Sequence, residues 1–285
     1  MSNALTVDTI QESEGSAIDA IYYLTKAQAS LKEENLLLVM ENLLKAHKIE
    51  PDEVEIIIAM AEIQVKLQHW KQLLPNLDAL INLQPDEIKW PINRLAALHA
   101  CKAFEETVKE SILLLKRCPK DIKILSLLAS AYYELNDYSL GLDVVNDLIE
   151  LNPGVAEPFL IRGLIYRSMG EHERAMTDFR QSESFGENST LLFNALGAWY
   201  ADLHQHEVAL DYYSKALSLS KGGADASKMA LNASLSAMSL GEFDKAWQFY
   251  AYRKFGPISK ETTYPAWQGE NLSDKHLVVR REQGL

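Results

Sequence analysis

Between Ala156 and Ser189, apolar and small residues fall at helical spacing twice over. Phe159, Gly163 and Tyr166 precede a turn at Gly170, and Ala175 and Phe179 follow it. The spacing predicts two amphipathic helices joined by a short turn. Gly163 and Ala175 put one small residue on each helix, so the paired backbones can approach closely, with Phe159, Tyr166 and Phe179 filling the space around the contact. The next 34 residues repeat the plan with Phe193, Leu196, Gly197, Tyr200, Ala209, Tyr213 and Ala216. Punctuation keeps the same period, since Pro51, Pro85, Pro119 and Pro153 are spaced by 34.

Extended along the chain, the period predicts seven helix–turn–helix units: 20–53, 54–87, 88–121, 122–155, 156–189, 190–223 and 227–260. The first-helix small position holds Ala27, Ala61, Leu95, Ala129, Gly163, Gly197 and Ser234; the second-helix position holds Val39, Leu73, Thr107, Gly141, Ala175, Ala209 and Ala246. Leu95, Leu73 and Thr107 are large for a close contact, so wider helix spacing is expected in the early units. Each proline lacks an N–H and disfavours helix in the residue before it, which ends a second helix. Glu187 and Lys221 stand where units five and six lack a proline, so their ends must rely on Gly186 and on Gly222-Gly223. Residues 1–19 have no sustained period and are expected to form a polar lead-in.

The 34-residue plan resembles the tetratricopeptide-repeat (TPR) family, whose repeat length it shares. The family's W-x2-L-G-x2-Y…A-x3-F…P pattern is met in part, by Gly163-x2-Tyr166 with Ala175-x3-Phe179, by Leu196-Gly197-x2-Tyr200, and by the four prolines in register. The resemblance implies an all-α fold, an α-α superhelix or TPR solenoid of about seven repeats. Beyond the last unit the pattern changes. The chain leaves helix at Gly256-Pro257, continues through Tyr264-Pro-Ala-Trp-Gln-Gly269, and reaches a strand-like run, His276-Leu-Val-Val-Arg280, before Glu282-Gln-Gly-Leu285. This ending resembles the junction in bacterial proteins where TPR repeats lead into a glycosyltransferase-like α/β domain. Residues 261–285 are on that basis expected to be a linker and the first strand of a truncated domain.

Composition narrows the function classes. The chain has 285 residues and a formal charge of −12, but the charge is uneven. Residues 245–285 carry seven Lys/Arg against four Asp/Glu, and the remainder carries 21 against 36. An acidic body disfavours a nucleic-acid partner. With no run of 18 apolar residues and no apolar leader, neither a membrane partner nor secretion is expected, and a cytoplasmic location is. Cys101 and Cys118, the two thiols, fall at opposite ends of a predicted hairpin and are expected to be free.

The resemblance also implies an inner surface lined by first-helix positions 2, 5, 9, 12 and 13. On it, Lys89, Lys123, Tyr133, Leu160, Arg167 and Asn194 form the candidate peptide-binding groove. Cationic, aromatic, aliphatic and amide groups together suit an extended segment with an acidic and an apolar side chain. The carboxylate clamp known in some TPR proteins is incomplete: Asn93 and Lys123 are in place, but Ile58, Ala96 and Leu127 replace its other groups. His204 and His206 share no helical face and have no third ligand nearby, so no metal is expected. The carboxylate pairs Glu33-Glu34, Glu53/Glu55 and Glu105-Glu106 have no nucleophile or histidine around them, so no catalytic residue and no cofactor is expected. Trp70, Trp199 and Trp247 read as packing residues, and Trp267 as an anchor that docks the linker on the last unit. The expected function is a non-enzymatic protein–protein interaction scaffold. The alternative is the acceptor-selecting region of a glycosyltransferase-like enzyme whose catalytic domain lies beyond residue 285.

Overall fold

A computed structural model describes residues 7–220 and 222–252. It contains fourteen helices and no strand among the described residues. The helices are α1 (Val7–Lys32), α2 (Leu36–Ile49), α3 (Val54–Lys66), α4 (Trp70–Leu83), α5 (Lys89–Ala100), α6 (Phe104–Leu115) and α7 (Ile122–Glu134). They continue as α8 (Tyr138–Leu151), α9 (Ala156–Ser168), α10 (His172–Ser184), α11 (Thr190–Asp202), α12 (His206–Leu219), α13 (Gly223–Ser239) and α14 (Phe243–Ala251). The chain divides into two compact units, Met1–Pro153 and Gly154–Leu285.

Every residue at the two small positions with a described side chain is buried, from Ala27 and Val39 to Ser234 and Ala246. The 34-residue period is therefore a period of burial. At Gly163 the close approach is physical: a Cβ there would lie 2.6 Å from Cε1 of Phe179, a fully buried ring. Gly197 meets Tyr213 in the same way, with a Cβ 2.7 Å from the ring. The expectation of wider spacing in early units holds only in part. Helices α5 and α6, which carry Leu95 and Thr107, share less contact than α9 and α10, whereas α1 and α2 share as much as any pair.

The helix ends follow from local chemistry. Pro51, Pro85 and Pro153 stand just past α2, α4 and α8, and Pro119 stands a turn past α6. Side chains of Asn35, Asp121 and Ser189 accept N–H groups at the starts of α2, α7 and α11. Within each hairpin, the turn is made by one residue in the left-handed region: Glu34, Gln68, Lys102, Asn136, Gly170, His204 and Gly241. The first six are spaced by 34, and Gly241 follows His204 by 37. Each turn is closed by backbone alone. At the second, the Gln68 N–H donates to Val65 C=O at 3.0 Å and the His69 N–H to Gln64 C=O at 2.8 Å. The same pair of bonds recurs at all seven turns.

Two segments differ from the sequence reading. Helix α1 begins at Val7, so a helix occupies most of the segment expected as a lead-in; Glu, Gln and Ala there are good helix formers that need no periodic apolar face to propagate an adjoining helix. Helix α13 begins at Gly223 rather than near 227, and its 17 residues absorb the three-residue insertion as extra length at its start. The Gly256-Pro257 exit, the Tyr264–Gly269 segment with Trp267, and the strand expected at 276–280 lie outside the described residues.

Candidate functional site

The six candidate residues divide between the two units. In the first, Lys89 opens α5, more than half exposed, with its ammonium 4.4 Å above the Trp90 ring and 3.5 Å from the Glu87 carboxylate. Lys123 is the exposed second residue of α7. Between these helix starts lies an open depression of about 480 Å3, lined by Ile88, Lys89, Ile92, Asn93, Lys120, Asp121, Ile122 and Lys123. The lining includes three lysines and one carboxylate, that of Asp121, which already accepts the Ile124 N–H at 3.0 Å as the cap of α7. The wall is apolar through its three isoleucines. An acidic group flanked by an apolar side chain fits this lining.

Tyr133 lies elsewhere in the first unit, in the last turn of α7, half-buried with its ring 6.5 Å from that of Tyr138. It does not line the depression. Near it, His99 Nε2 and Ser130 Oγ are 2.9 Å apart and tie α5 to α7. Burial holds the His99 imidazole below its ordinary pKa, against the pull of the Glu134 carboxylate.

In the second unit, the structure corrects the reading of Leu160. It is 3% exposed and belongs to the core with Ala175, Met176, Phe179 and Leu192. Position 5 of a first helix packs inward here, as it also does at Ile92 and Ser126, both buried. Arg167 is not an open positive point either. Its Nε lies 2.7 Å from Asp202 Oδ2, and its second guanidinium nitrogen donates to Oδ1 at 3.1 Å, which links α9 to α11. Burial pushes the nearby Tyr213 phenol up to about 12, with the Arg167 charge opposing and the Asp202 charge assisting the shift. Asn194 is half-buried and accepts a long hydrogen bond, 3.5 Å, from Asn232 on α13. The first helices of this unit are thus tied to one another through the side chains expected to bind a partner.

These ties carried a signal in the sequence. Arg167 and Asp202 are one repeat plus one residue apart, which sets them side by side on successive first helices. Arg162 pairs with buried Asp178 through two bonds of 2.8 Å, and Arg94 reaches both Asp78 and Glu110; in every case the partners are 16 residues apart. That spacing joins facing positions of neighbouring helices, so it marks structural ion pairs within the array rather than a binding surface.

The remaining candidates reduce to structure. His204 is the left-handed turn residue between α11 and α12, and its ring stands 6.0 Å from that of His206. Among the described residues no group of three His, Cys, Asp or Glu side chains could hold a metal ion. Cys101 and Cys118 are free and half-buried. No described helix is long and apolar enough to cross a membrane.

A family profile described as tetratricopeptide repeat matches residues 156–184. No curated protein matches the chain. Among solved structures, a tetratricopeptide repeat protein from Parabacteroides merdae superposes with a TM-score of 0.68 at 14% identity, over 85% of this chain and 94% of that one. The Cut9–Hcn1 hetero-tetramer of the APC/C gives a TM-score of 0.61 at 14% identity, over 81% of this chain and 45% of that one. MamA from Desulfovibrio magneticus RS-1 gives 0.50 at 17% identity, over 59% and 94%. With fourteen helices joined by seven equivalent turns, and the family profile falling on α9 and α10, the chain has the all-α fold of a tetratricopeptide-repeat solenoid.

Proposed function

We propose that this chain is a protein–protein interaction scaffold that holds a polypeptide segment against the first unit. The observation that carries the reading is the depression between the starts of α5 and α7, where Lys89, Lys120 and Lys123 surround an isoleucine wall. Its ligand is a segment with one or more carboxylates next to an aliphatic or aromatic side chain. An acidic body, −15 outside residues 245–285, makes such a cationic spot a local exception and gives it an orienting role. Folds of this kind generally mediate protein–protein contacts, and one structural neighbour belongs to a hetero-tetramer. The free thiols suit a reducing, cytoplasmic setting. Arg167, Asn194 and Leu160 serve the second unit's own cohesion.

The test is titration of the full chain with a panel of acidic and apolar peptides, in wild type, Lys89→Ala and Lys123→Glu. Affinity for the best peptide should fall by about 5- to 30-fold in the variants, equivalent to about 1–2 kcal/mol, and should weaken with salt. Equal affinities across the three proteins would remove the site from the first unit. A second reading, an acceptor-selecting region of a glycosyltransferase-like enzyme, rests on Pro265-Ala-Trp-Gln-Gly269 and Glu282-Gln-Gly-Leu285. A reading frame that continues with Gly-Asp and then roughly 200–300 residues of alternating strands and helices supports it.

A further inference from the structure

Equivalent positions of successive repeats show what normally covers the outer side of a second helix. Met176 on α10 is 8% exposed and lies in one cluster with Leu192 and Ala195 of α11. One repeat later Leu210 on α12 is 3% exposed, in one cluster with Ala233 and Ala237 of α13. In both, the first helix of the next repeat supplies the cover. The equivalent residue of the last pair is Trp247 on α14, and it is 58% exposed. Leu235 on α13, equivalent to the 8%-exposed Ala198, is 56% exposed, and Phe243 at the start of α14 is 61% exposed.

Ala198 and Leu210 share a cluster, so the equivalent Leu235 and Trp247 lie on one face, the side that a following repeat would pack against. The Trp247 ring is extended by Tyr250, 5.4 Å away edge to face. Large apolar side chains at this end oppose what a repeat array needs, since terminal repeats stay soluble by presenting a polar outer face. Trp247 was expected to pack, and among the described residues nothing gives it a packing partner equivalent to α11 or α13.

We propose that this end face, Leu235, Phe243 and Trp247, is the docking surface for the chain's own residues 253–285, seated through Trp267. Three observations select this occupant. The segment begins directly after α14, whose last turn carries Tyr250 beside Trp247. A tethered segment acts at an effective concentration on the order of millimolar, which a second copy of the chain reaches only in concentrated solution. Residues 253–285 carry six Lys/Arg against four Asp/Glu, a net +2, against −14 for the rest, so the segment is drawn to the body rather than repelled by it. Tyr264, Trp267, Leu277 and Val278 supply apolar groups to meet the face.

The experiment compares the full chain with Trp247→Asp and Trp267→Ala, by hydrogen exchange across α14 and by trypsin cleavage at Lys260 and Lys275. Trp267→Ala changes no residue of the fourteen helices, so it separates loss of docking from fraying of α14 by the first substitution. Docking predicts that either variant raises exchange in α14 and cleavage at Lys260 by about tenfold or more, with α9–α12 unchanged. Rates identical to wild type in Trp267→Ala overturn the proposal. So does a wild-type sedimentation mass of two chains that Trp247→Asp halves, because the face is then covered by a second copy.

Discussion

The hairpins α5–α6 and α9–α10 occupy the same place in the repeat and fill it in opposite ways. In the second unit, α9 contributes nothing at Gly163 and α10 contributes the whole Phe179 ring. In the first unit, the equivalent residues are Leu95 on α5 and Ser111 on α6, both fully buried. The large side chain has moved across the interface. Intermediate solutions stand at Ala129 with Val145 and at Ala61 with Leu77, all buried. What the repeat specifies is therefore a shared volume between two backbones, and either helix can supply it.

The sharpest way to break the comparison is truncation at one repeat position in both units. Phe179→Ala should cost about 3–5 kcal/mol, because it empties the ring's space against a glycine. Ser111→Ala at the equivalent place should change stability by less than about 1 kcal/mol, since a hydroxyl and not a packed volume is lost. Urea denaturation of both variants, read by far-ultraviolet circular dichroism, checks this; comparable losses would mean that position has one role throughout the array.

The exchange can also be attempted by design. Gly163→Leu alone should destabilise the second unit by about 1–3 kcal/mol through overpacking against Phe179. Adding Phe179→Ser rebuilds the Leu–Ser filling of the first unit. The double variant should be more stable than the summed single effects by about 1–2 kcal/mol, a coupling a double-mutant cycle measures directly. Strict additivity would separate the two positions.

A smaller effect distinguishes the turns. Gly170 and Asn136 hold the same left-handed place, at φ of 78° and 63°. Gly170→Ala should lower stability by about 1 kcal/mol, while Asn136→Gly should raise it by a few tenths to about 1 kcal/mol, the strain relieved exceeding the added freedom of the unfolded chain. Thermal melts of the two variants should shift in opposite directions.

Much of this architecture was legible before any coordinates. Prolines and small residues in one register placed the hairpins, because breaking a helix and allowing backbones to touch are both local demands on residue type. Leu95 looked like a misfit, since its compensating partner, Ser111, is small and polar and sends no hydrophobic signal. The site was less legible. Position alone put Leu160 and Arg167 on a binding surface, yet burial of one and ion pairing of the other depend on the neighbouring helix. Lys89 and Lys123 line one depression, and Lys120, in the connection between α6 and α7, joins its lining from outside any first helix, where a reading by first-helix position does not look.

The backbone-closed turn within each hairpin has a consequence for how the array tolerates length change. A left-handed residue with two fixed hydrogen bonds works like the tooth of a ratchet: each hairpin is clicked into one phase, and a residue gained or lost there disengages both helices. Among the junctions between hairpins only the one between α10 and α11 has such a tooth, at left-handed Gly186, where the Gly186 and Glu187 N–H groups donate to Glu183 and Ser182 C=O; the others lack the pair. The single slip in the chain, 37 residues rather than 34 between His204 and Gly241, falls at one of them and is taken up at the start of α13 while the next turn re-engages unchanged. Insertions that leave the fold intact accordingly belong between hairpins, not within them.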